Sequence, residues 1–489
     1  MQLQELLSVL PFYTSTKQIE EITINGLKMD HRDIQPNDVF VCIKGFTVDG
    51  HQFAEQAIQK GATVIIAERP LELTSGITII VPDTTRALAM LAAKFYHYPT
   101  HQFPLVGITG TNGKTTTTYL IDAICQTHKQ KTGLIGTIQM KIGDQSSPIK
   151  NTTPDSLQLQ HIFHQMVEEK VDIAMMEVSS HALDLGRVYG TEFDIAVFTN
   201  LSQDHLDYHK DMDDYLRAKT LLFTGLGNTY ERKKYAVLNG DDPHSNAIQQ
   251  NTAQPIVTYG FERNADIRAT NIDYQLNQTI FTLETPVGKT IINSKLIGTF
   301  NIYNMLAASS VAILLNIPLD TIKTALENIE GVAGRFEQVT AGQKYGVIVD
   351  YAHTPDSLEN VLQTIKEFAE QKIYVVVGTG GDRDRTKRPL MAQVAAKYSD
   401  LAIFTSDNPR SENPNAILRD MTSGLTYTNY KVIENRKEAI DDAIGLAKDG
   451  DIVLIAGKGH ETYQEIDGIR YNFDDRVIAE EAIKQKENK

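Results

Sequence analysis

The chain has 489 residues, of which 41% are hydrophobic and 22% are charged. At roughly 150 residues per domain this length predicts about three domains, and the composition excludes disordered, collagen-like and disulfide-scaffold proteins. The 47 Lys+Arg and 62 Asp+Glu residues give a formal net charge of −15. That is the wrong sign for binding a phosphate backbone, so we expect no nucleic-acid partner.

The first hundred residues predict a small α/β domain, which we bound at 1–99. Runs rich in β-branched and aromatic residues at 38–44 and 62–67 alternate with helical patterns at 53–60 and 84–98. This alternation of strands and helices is typical of a compact α/β unit of about one hundred residues.

The second predicted domain, 100–333, opens with the apolar strand Leu105–Thr109, a glycine-rich turn and a helix. Two later apolar runs, at 171–178 and 194–200, lack the alternation of a half-exposed sheet. They therefore predict a parallel sheet that is covered by helices. Between 235 and 297 the sequence changes to short strands and turns, which predict an antiparallel excursion.

The third predicted domain, 334–489, repeats the alternation of strands and helices. The segment 331–334 contains two glycines, whose backbone freedom suits a hinge into this domain. The predicted strands are 347–351, 373–377, 401–405 and 451–456, and the predicted helices are 355–370, 389–397 and a polar carboxyl-terminal helix.

Two features bear on the cellular compartment. The first ten residues contain Glu5 and lack the basic start and apolar run of a signal peptide, and no apolar window approaches the roughly 20 residues of a membrane helix. Cys42 and Cys125 lie in apolar runs without metal-ligand spacing, which predicts two reduced core thiols. We expect a cytoplasmic protein with no membrane partner.

A phosphate-binding loop follows the strand Leu105–Thr109, in the sequence Gly110-Thr111-Asn112-Gly113-Lys114-Thr115-Thr116. Its glycines let the backbone wrap a phosphate, Lys114 neutralises phosphate oxygens, and Thr115 can hold Mg²⁺. The strict P-loop spacing would place a glycine where Ile108 stands, and a plain strand-to-helix turn is the alternative. Gly-Lys-Thr favours an ATP site, and the absence of an Asn-Lys-x-Asp motif disfavours a GTPase.

Polar groups follow the next two predicted strands. Glu177 ends the first of them, where carboxylates open onto the ligand crevice of α/β sheets, so it suits a Mg²⁺ ligand. His205 follows the second strand and is a candidate to complete a metal shell, although imidazole is a less usual Mg²⁺ ligand than oxygen. Histidines that cap helices or face solvent are the alternative.

One lysine shares a helical face with two aromatic residues. Tyr215, Lys219 and Phe223 repeat at i, i+4 and i+8, so they lie on the same side of a helix. A lysine at such a position is usually a surface residue with its stem along apolar side chains.

The ordered motifs of the chain resemble those of the Mur ligase family over essentially its whole length. In the first two domains the landmarks are Gly110 to Thr116, Asn151-Thr152-Thr153, Glu177 to Leu183, Asp204-His205-Leu206-Asp207-Tyr208-His209, Tyr215 to Lys219, and Phe300-Asn301 with Asn304. In the last domain they are Gly334-Arg335-Phe336-Glu337, Asp350-Tyr351-Ala352-His353-Thr354-Pro355, Gly380-Gly381-Asp382-Arg383-Asp384, Asp407-Asn408-Pro409-Arg410 and Gly457-Lys458-Gly459-His460-Glu461.

This resemblance implies an α/β fold of three domains: a small N-terminal UDP-binding domain, a central P-loop ATPase with a parallel sheet, and a C-terminal Rossmann-like domain. It implies an ATP-dependent acid–amino-acid ligase of peptidoglycan synthesis that works through an acyl phosphate. Within the family the chain is most similar to enzymes that add meso-2,6-diaminopimelate to UDP-MurNAc-L-Ala-D-Glu. An L-lysine-adding enzyme and an inactive paralogue that binds UDP-muramoyl peptides are the alternatives.

The resemblance also implies roles for individual residues. Catalysis would use Lys114, His205 and a carbamylated Lys219, and Mg²⁺ would be held by Thr115, Glu177 and His205. ATP would contact Gly110, Thr111, Asn112, Gly113, Lys114, Thr115, Thr116, Asn301, Asn304, Arg335 and His353. The UDP-muramoyl dipeptide would contact His31, Asn151, Thr152, Thr153, Ser179 and Arg187. The incoming amino acid would contact Arg383, Asp407, Asn408, Pro409, Arg410, Gly457 and Glu461.

Two positions depart from the family pattern. The usual Asp-Ser-Arg of the uridine-binding domain reads Asp30-His31-Arg32, and the glutamine expected two residues before Arg187 is Leu185. An imidazole in place of a hydroxyl and an alkyl group in place of an amide predict looser binding or a modified substrate. We expect small-molecule substrates and a monomeric protein.

Overall fold

The computed structural model describes residues 1–19, 21–45, 48–149, 151–275 and 278–488. Each of the three predicted domains has its own main sheet, and helices cover these sheets. The predicted α/β class with three domains is confirmed, whereas the exact boundaries 1–99, 100–333 and 334–489 stay predictions.

The N-terminal domain is built from short elements. They are α1 (Leu3–Leu7), β1 (Thr14–Ser15), β2 (Gly26–Lys28), β3 (Asp38–Val41), α2 (Ala54–Gln59), β4 (Val64–Ala67), β5 (Ile77–Ile80) and α3 (Thr84–Phe95). The sheet order is β1-β5-β4-β3-β2, with β1 antiparallel to β5 and the other neighbours parallel. The strands predicted at 38–44 and 62–67 are confirmed as β3 and β4, which are slightly shorter.

The central domain carries the largest sheet. Its elements are β6 (Leu105–Thr109), α4 (Lys114–Thr127), β7 (Thr132–Ile135), β8 (Met140–Ile142), β9 (Gln145–Ser147), α5 (Ser156–Glu168), β10 (Ile173–Glu177), α6 (Ser180–Asp184), β11 (Ile195–Phe198), α7 (Met212–Thr224), β12 (Tyr235–Asn239), α8 (Ser245–Gln250), β13 (Ile256–Gly260), β14 (Ile267–Gln275), β15 (Gln278–Thr285), β16 (Gly288–Ser294), α9 (Thr299–Leu314) and α10 (Leu319–Asn328). The sheet order is β16-β15-β14-β13-β12-β11-β6-β10-β7-β8-β9.

Both faces of the central sheet are buried. One face packs against α4 and α9 through residues such as Leu120 and Met305, and the other packs against α5 and α7 through residues such as Phe163 and Phe223. Burial on both faces explains why the strands read as continuous apolar runs without alternation. The parallel pairing of β6 with β10 and β11 brings their carboxyl ends to one edge, where the phosphate loop begins.

The prediction of an antiparallel excursion at 235–297 is wrong for its first half. β12 runs parallel to β11 and β13, and α8 provides the crossover that a parallel connection needs. The antiparallel part is confined to the ladder β14-β15-β16.

The C-terminal domain repeats the doubly covered arrangement. Its elements are β17 (Glu337–Gln338), β18 (Gly346–Asp350), α11 (Pro355–Phe368), β19 (Ile373–Val377), α12 (Lys387–Tyr398), β20 (Leu401–Phe404), α13 (Pro414–Thr422), β21 (Tyr430–Val432), α14 (Arg436–Leu446), β22 (Ile452–Ala456), β23 (Tyr463–Ile466), β24 (Ile469–Asn472) and α15 (Asp475–Glu487). The main sheet has the order β17-β18-β22-β19-β20-β21, and β23 and β24 form a separate hairpin.

The segment that joins the last two domains is held by close packing. A Cβ on Gly334 would collide with the backbone of Gly459 and His460, and Gly334 has a φ of 65°. Gly334 is therefore needed for close approach between two loops, whereas Gly331, with a φ of 145° and open space around it, supplies conformational freedom.

Two further predictions concern burial. Cys42 and Cys125 are buried free thiols, as predicted, and burial raises the pKa of each to about 12. No helix in the described part of the chain is long and apolar enough to cross a bilayer.

Candidate active site

A cavity of about 1030 Å³ lies where the central and C-terminal domains meet. It opens at the carboxyl ends of β6, β10 and β11, and the start of α11 faces it from the C-terminal domain. The predicted site residues that line it are Thr111, Asn112, Gly113, Lys114, Thr115, Thr116, Asn151, Thr152, Thr153, Glu177, Ser179, Arg187, His205, Asn304, Arg335, His353 and Arg383.

The phosphate loop connects β6 to α4, as the sequence predicts. Gly110 has a φ of 149° and Gly113 a φ of 85°, and a Cβ at either glycine would collide with Thr199 or Asn304 respectively. The loop is fixed from below by Asn200, whose side-chain oxygen accepts a hydrogen bond of 2.9 Å from the Asn112 N–H. The loop thus has the shape of an anion cradle at the start of a helix.

Lys114 folds onto its own loop. Its ammonium group donates to the carbonyl oxygens of Gly110 and Thr111, both at 2.8 Å. Burial lowers the pKa of Lys114, and the nearby Glu177 carboxylate opposes that shift. These bonds hold the ammonium at the mouth of the loop, where a phosphate would compete for it.

Glu177 is fully buried at the end of β10 and accepts hydrogen bonds from two loops. Its Oε2 accepts from the hydroxyls of Thr115 and Thr137, each at 3.0 Å, and its Oε1 accepts from the Thr137 N–H at 2.8 Å. Thr115 and Glu177 therefore present a hydroxyl and a carboxylate side by side, which are oxygen ligands of the kind that Mg²⁺ prefers.

His205 lines the same cavity and has a left-handed backbone, with a φ of 55°. Burial lowers its pKa to about 4, although neighbouring Asp204 opposes the shift, so the imidazole is neutral near pH 7. Its ring centroid lies 4.9 Å from that of His181. Across the described residues no group of three or more His, Cys, Asp and Glu side chains is placed to bind a metal. The predicted Mg²⁺ ligand set of Thr115, Glu177 and His205 therefore depends on the Thr115 hydroxyl.

Lys219 is not a surface lysine: it is 1% exposed beneath the phosphate loop. Its ammonium nitrogen donates to the Gly110 carbonyl oxygen at 2.8 Å and lies 4.3 Å from the centre of the Tyr215 ring. Burial, and then the charge of Lys114, hold the pKa of Lys219 well below its usual value. The expectation that a lysine at such a position lies at the surface is therefore wrong here, because this face of α7 packs against the phosphate loop.

The C-terminal domain reaches the phosphate loop through Arg335. Its guanidinium group donates to the Thr115 hydroxyl at 3.1 Å and stacks 4.7 Å from the centre of the Tyr351 ring. His353 lines the cavity nearby, and burial lowers its pKa. Residues from two domains therefore meet at Thr115.

Asn301 and Asn304 lie on α9 behind the loop. The Asn304 side-chain oxygen accepts from the Thr117 hydroxyl at 3.3 Å, and its amide donates to Asn301 at 3.3 Å. Asn304 lines the cavity, whereas Asn301 lies outside that lining and bonds the Ile297 carbonyl at 2.9 Å. Asn301 therefore supports the cavity wall.

The residues assigned to the muramoyl dipeptide form one wall of the cavity, with one exception. The Thr153 hydroxyl donates to the Glu177 carbonyl oxygen at 2.9 Å, and Arg187 donates to the Thr153 carbonyl at 3.2 Å. The exception is His31, which lies in the N-terminal domain and stacks on Phe53 with the ring centres 4.4 Å apart.

The residues assigned to the incoming amino acid form a second cluster, after β19, β20 and β22. Asn408 donates to Glu461 Oε2 at 2.8 Å, and Arg410 donates to the Gly381 carbonyl at 2.6 Å. Arg383 links this cluster to the main cavity, because it lines the cavity while Asp407, Asn408, Pro409, Arg410, Gly457 and Glu461 lie outside that lining.

Sequence analysis missed two residues that organise the site. Thr137 bonds Glu177 from the segment after β7, and no motif marks it. Asp356 at the start of α11 accepts from the Ser202 hydroxyl at 2.5 Å and from the Asn112 amide at 3.2 Å. Its position directly after the motif that ends at Pro355 is a signal that could have identified it.

Family models match the chain in three segments. Residues 19–96 match the Mur ligase family catalytic domain, 108–312 match the Mur ligase middle domain, and 334–459 match the Mur ligase glutamate ligase domain. These segments fall within the three predicted domains.

Curated relatives and a solved structure match over full length. The UDP-N-acetylmuramoyl-L-alanyl-D-glutamate--2,6-diaminopimelate ligase of Oceanobacillus iheyensis is 58% identical and covers 99% of this chain and 100% of its own. The ligase of the same name from Geobacillus thermodenitrificans is 54% identical with the same coverage. A solved structure of a ligase of that name is 34% identical, has a TM-score of 0.72 and covers 100% of both chains. The chain belongs to the Mur ligase family.

Proposed function

We propose that the chain is an ATP-dependent ligase that joins meso-2,6-diaminopimelate to UDP-MurNAc-L-Ala-D-Glu in peptidoglycan precursor synthesis. Relatives 58% and 54% identical, which carry the name of a 2,6-diaminopimelate ligase, support the proposal. The chemistry needs ATP because a free carboxylate is a poor acyl donor. Phosphorylation converts its oxygen into part of a good leaving group.

One observation carries the proposal: Glu177 bonds both the phosphate loop and the wall that we assign to the dipeptide. Its side chain accepts from Thr115 of the phosphate loop at 3.0 Å, while its backbone oxygen accepts from Thr153 of the dipeptide wall at 2.9 Å. A γ-phosphate on the loop and a carboxylate on the wall would therefore be neighbours. Holding two reactants together in this way removes much of the entropic cost of their reaction.

The reaction then has two balanced steps. A carboxylate oxygen of the D-glutamate residue attacks the γ-phosphorus of ATP. The bond between the γ-phosphorus and the oxygen that bridges to the β-phosphate breaks, and ADP leaves. The amine of the incoming amino acid attacks the acyl carbon, inorganic phosphate leaves, and the nitrogen loses a proton. Lys114, which bonds the Thr111 carbonyl of the loop, and Arg335, which bonds the Thr115 hydroxyl, place positive charge at the transferring phosphoryl group.

The oxygen donors at the loop fit Mg²⁺. Thr115 and Glu177 are buried and in contact, and His205 is available as a neutral imidazole because burial lowers its pKa to about 4. When bound there, Mg²⁺ would neutralise charge on the phosphate oxygens. Burial holds the pKa of Lys219 well below its usual value, which favours the neutral amine that carbamylation requires.

Arginines in the C-terminal cluster support the choice of diaminopimelate. Arg383 and Arg410 lie on the loops after β19 and β20, and each offers a planar fork of donors for a carboxylate. Lysine lacks the distal carboxylate that these forks would bind. The proposal further places the enzyme in the cytoplasm as a monomer.

The test is phosphate release from ATP in the presence of UDP-MurNAc-L-Ala-D-Glu and each member of an amino-acid panel. We expect release that requires the dipeptide together with meso-diaminopimelate. Release with L-lysine instead would favour the lysine-adding alternative. Binding of the dipeptide without release for any amino acid would favour the inactive paralogue.

A further inference from the structure

A fully buried lysine of the C-terminal domain has no role in the function proposed above. Lys458 follows β22 and is 0% exposed. Its ammonium nitrogen donates to Asn408 Oδ1 at 3.0 Å and to Glu461 Oε2 at 3.1 Å, and it lies 3.7 Å from Asp407 Oδ1. All three partners belong to the predicted amino-acid cluster.

A charged side chain that is shielded from water stays charged in a protein interior when it is paired with an opposite charge and hydrogen-bonded. Lys458 meets both conditions, since it has one amide and two carboxylates around it. A second buried cation, Arg436, pairs directly with Asp475 at 2.6 Å and also interacts with the charges of Asp407 and Glu461. Taken together, Asp407, Glu461 and Lys458 carry one net negative charge, whereas the guanidinium group of Arg410, from the same cluster, donates to the Gly381 carbonyl oxygen at 2.6 Å.

Lys458 also fixes the orientation of the two side chains that it bonds. Asn408 Oδ1 accepts from Lys458 and from the Glu465 N–H at 2.9 Å, so the Asn408 amide must point its Nδ2 toward Glu461 Oε2. That oxygen is then occupied by two donors. Among the described residues Glu461 Oε1 has no hydrogen-bond partner, and Glu461 is 18% exposed.

We propose that Lys458 is a positioning residue for the incoming amino acid, an inference that rests on the proposed function. It holds Asn408 in one amide orientation and Glu461 with one free carboxylate oxygen. It also reduces the two negative charges of Asp407 and Glu461 to one. A single free carboxylate oxygen with one net negative charge matches one ammonium group of a diamino acid.

Without the Lys458 ammonium group the cluster loses this order. The Asn408 amide can rotate, and Asp407 and Glu461 repel each other because no cation lies between them. The affinity for the amino acid then falls, while the phosphate loop and the dipeptide wall keep their contacts. The defect should therefore be confined to one of the three substrates.

The test compares Lys458→Met, which keeps most of the length of the side chain and removes its charge, with wild type. We expect the KM for meso-diaminopimelate to rise about tenfold or more, as for loss of a charge-assisted hydrogen bond, while the KM values for ATP and for UDP-MurNAc-L-Ala-D-Glu stay within about twofold. The double variant Lys458→Met/Glu461→Gln should lose little more than Glu461→Gln alone, because Lys458 acts through Glu461.

The matched control is Lys486→Met, in the same domain. The Lys486 ammonium group donates to the Ile444 and Ala447 carbonyl oxygens at the carboxyl end of α14, so all three KM values should match wild type. Should Lys458→Met not fold, Lys458→Gln replaces it, because a glutamine keeps a donor for one of the two acceptors.

The outcomes separate this inference from the proposed function. A wild-type enzyme that releases no phosphate with any amino acid defeats the proposed function. If the wild type is active and the Lys458→Met variant keeps the wild-type KM for meso-diaminopimelate, the inference is overturned. Equal rises of all three KM values, which a merely structural role would give, overturn it as well.

Discussion

The ammonium groups of Lys114 and Lys219 donate to the same atom, the carbonyl oxygen of Gly110, each at 2.8 Å. One lysine comes from the phosphate loop and the other from α7, so the two side-chain nitrogens approach each other inside the protein. The charge of Lys114 adds to burial in lowering the pKa of Lys219. The loop thus adds to the effect of burial in lowering the pKa of the lysine beneath it.

This relationship predicts that Lys219 is carbamylated. A lowered pKa raises the fraction of neutral amine near pH 7, and a neutral amine adds to CO₂ with loss of one proton. We expect ¹³C-bicarbonate to give a carbamate NMR signal that grows as the pH rises and disappears in Lys219→Ala. Lys210→Ala, which removes an exposed lysine before the same helix, should keep the signal.

Activity provides a second measurement at Lys219. Lys219→Ala should lose most of its turnover, and small carboxylates such as acetate should restore part of it by occupying the space of the carbamate. Wild-type turnover in Lys219→Ala would refute the role of this lysine. Failed rescue alone would not, because the side chains around the cavity can collapse into it.

Lys114→Ala should abolish amide formation while the protein stays folded. The substitution removes the cation at the transferring phosphoryl group, and loss of one such electrostatic contact lowers kcat on the order of a hundredfold or more. Phosphate release measures the loss, and circular dichroism checks the fold. Near wild-type turnover in this variant would exclude the loop as the catalytic site.

The phosphate loop could be predicted from the sequence because its determinants are local. The strand, both glycines and Lys114 lie within ten residues, and each has a chemical reason to be there. The burial of Lys219 could not be predicted, because helical periodicity identifies a shared face without saying what covers it. The cover is Gly110, 109 residues earlier in the chain.

Two other features depended on pairing across the sheet. Thr137 reaches Glu177 because β7 lies beside β10, an order that no motif encodes. The parallel course of β12 and β13 depended on the short polar helix α8, whose six residues show little apolar periodicity. Non-local order thus accounts for both the missed residue and the wrong prediction.

Asp356→Ala should weaken the docking of the C-terminal domain on the phosphate loop. One oxygen of this carboxylate accepts from Ser202, Asn112 and Asn360, so its removal breaks hydrogen bonds that join the two domains. We expect kcat/KM for ATP to fall by about tenfold, equivalent to roughly 1.4 kcal/mol. Glu370→Ala, which removes an exposed carboxylate after the same helix, should behave as wild type.

We expect the choice of amino acid to depend on Arg410, whose backbone has a left-handed conformation. Its φ is 50°, its N–H donates to the Glu465 carbonyl at 3.0 Å, and its own carbonyl accepts from the Asp467 N–H at 2.8 Å. The hairpin β23-β24 therefore bonds both the backbone N–H and the backbone carbonyl of Arg410. The guanidinium group of Arg410 donates to the Gly381 carbonyl oxygen at 2.6 Å. Both the backbone and the guanidinium group of Arg410 are therefore held by contacts within the protein.

An ordered guanidinium group beside the pocket favours a substrate with a second carboxylate and repels the distal ammonium group of lysine. We expect strong preference for meso-diaminopimelate over L-lysine, and Arg410→Ala should lose about 1.5 to 3 kcal/mol of it. The measurement is kcat/KM for both amino acids in both proteins, with Arg419→Ala, an exposed arginine of α13, as the control. Equal values in the wild type, or a preference that survives the loss of Arg410, would contradict the assignment, because no other difference between the two amino acids addresses a guanidinium group.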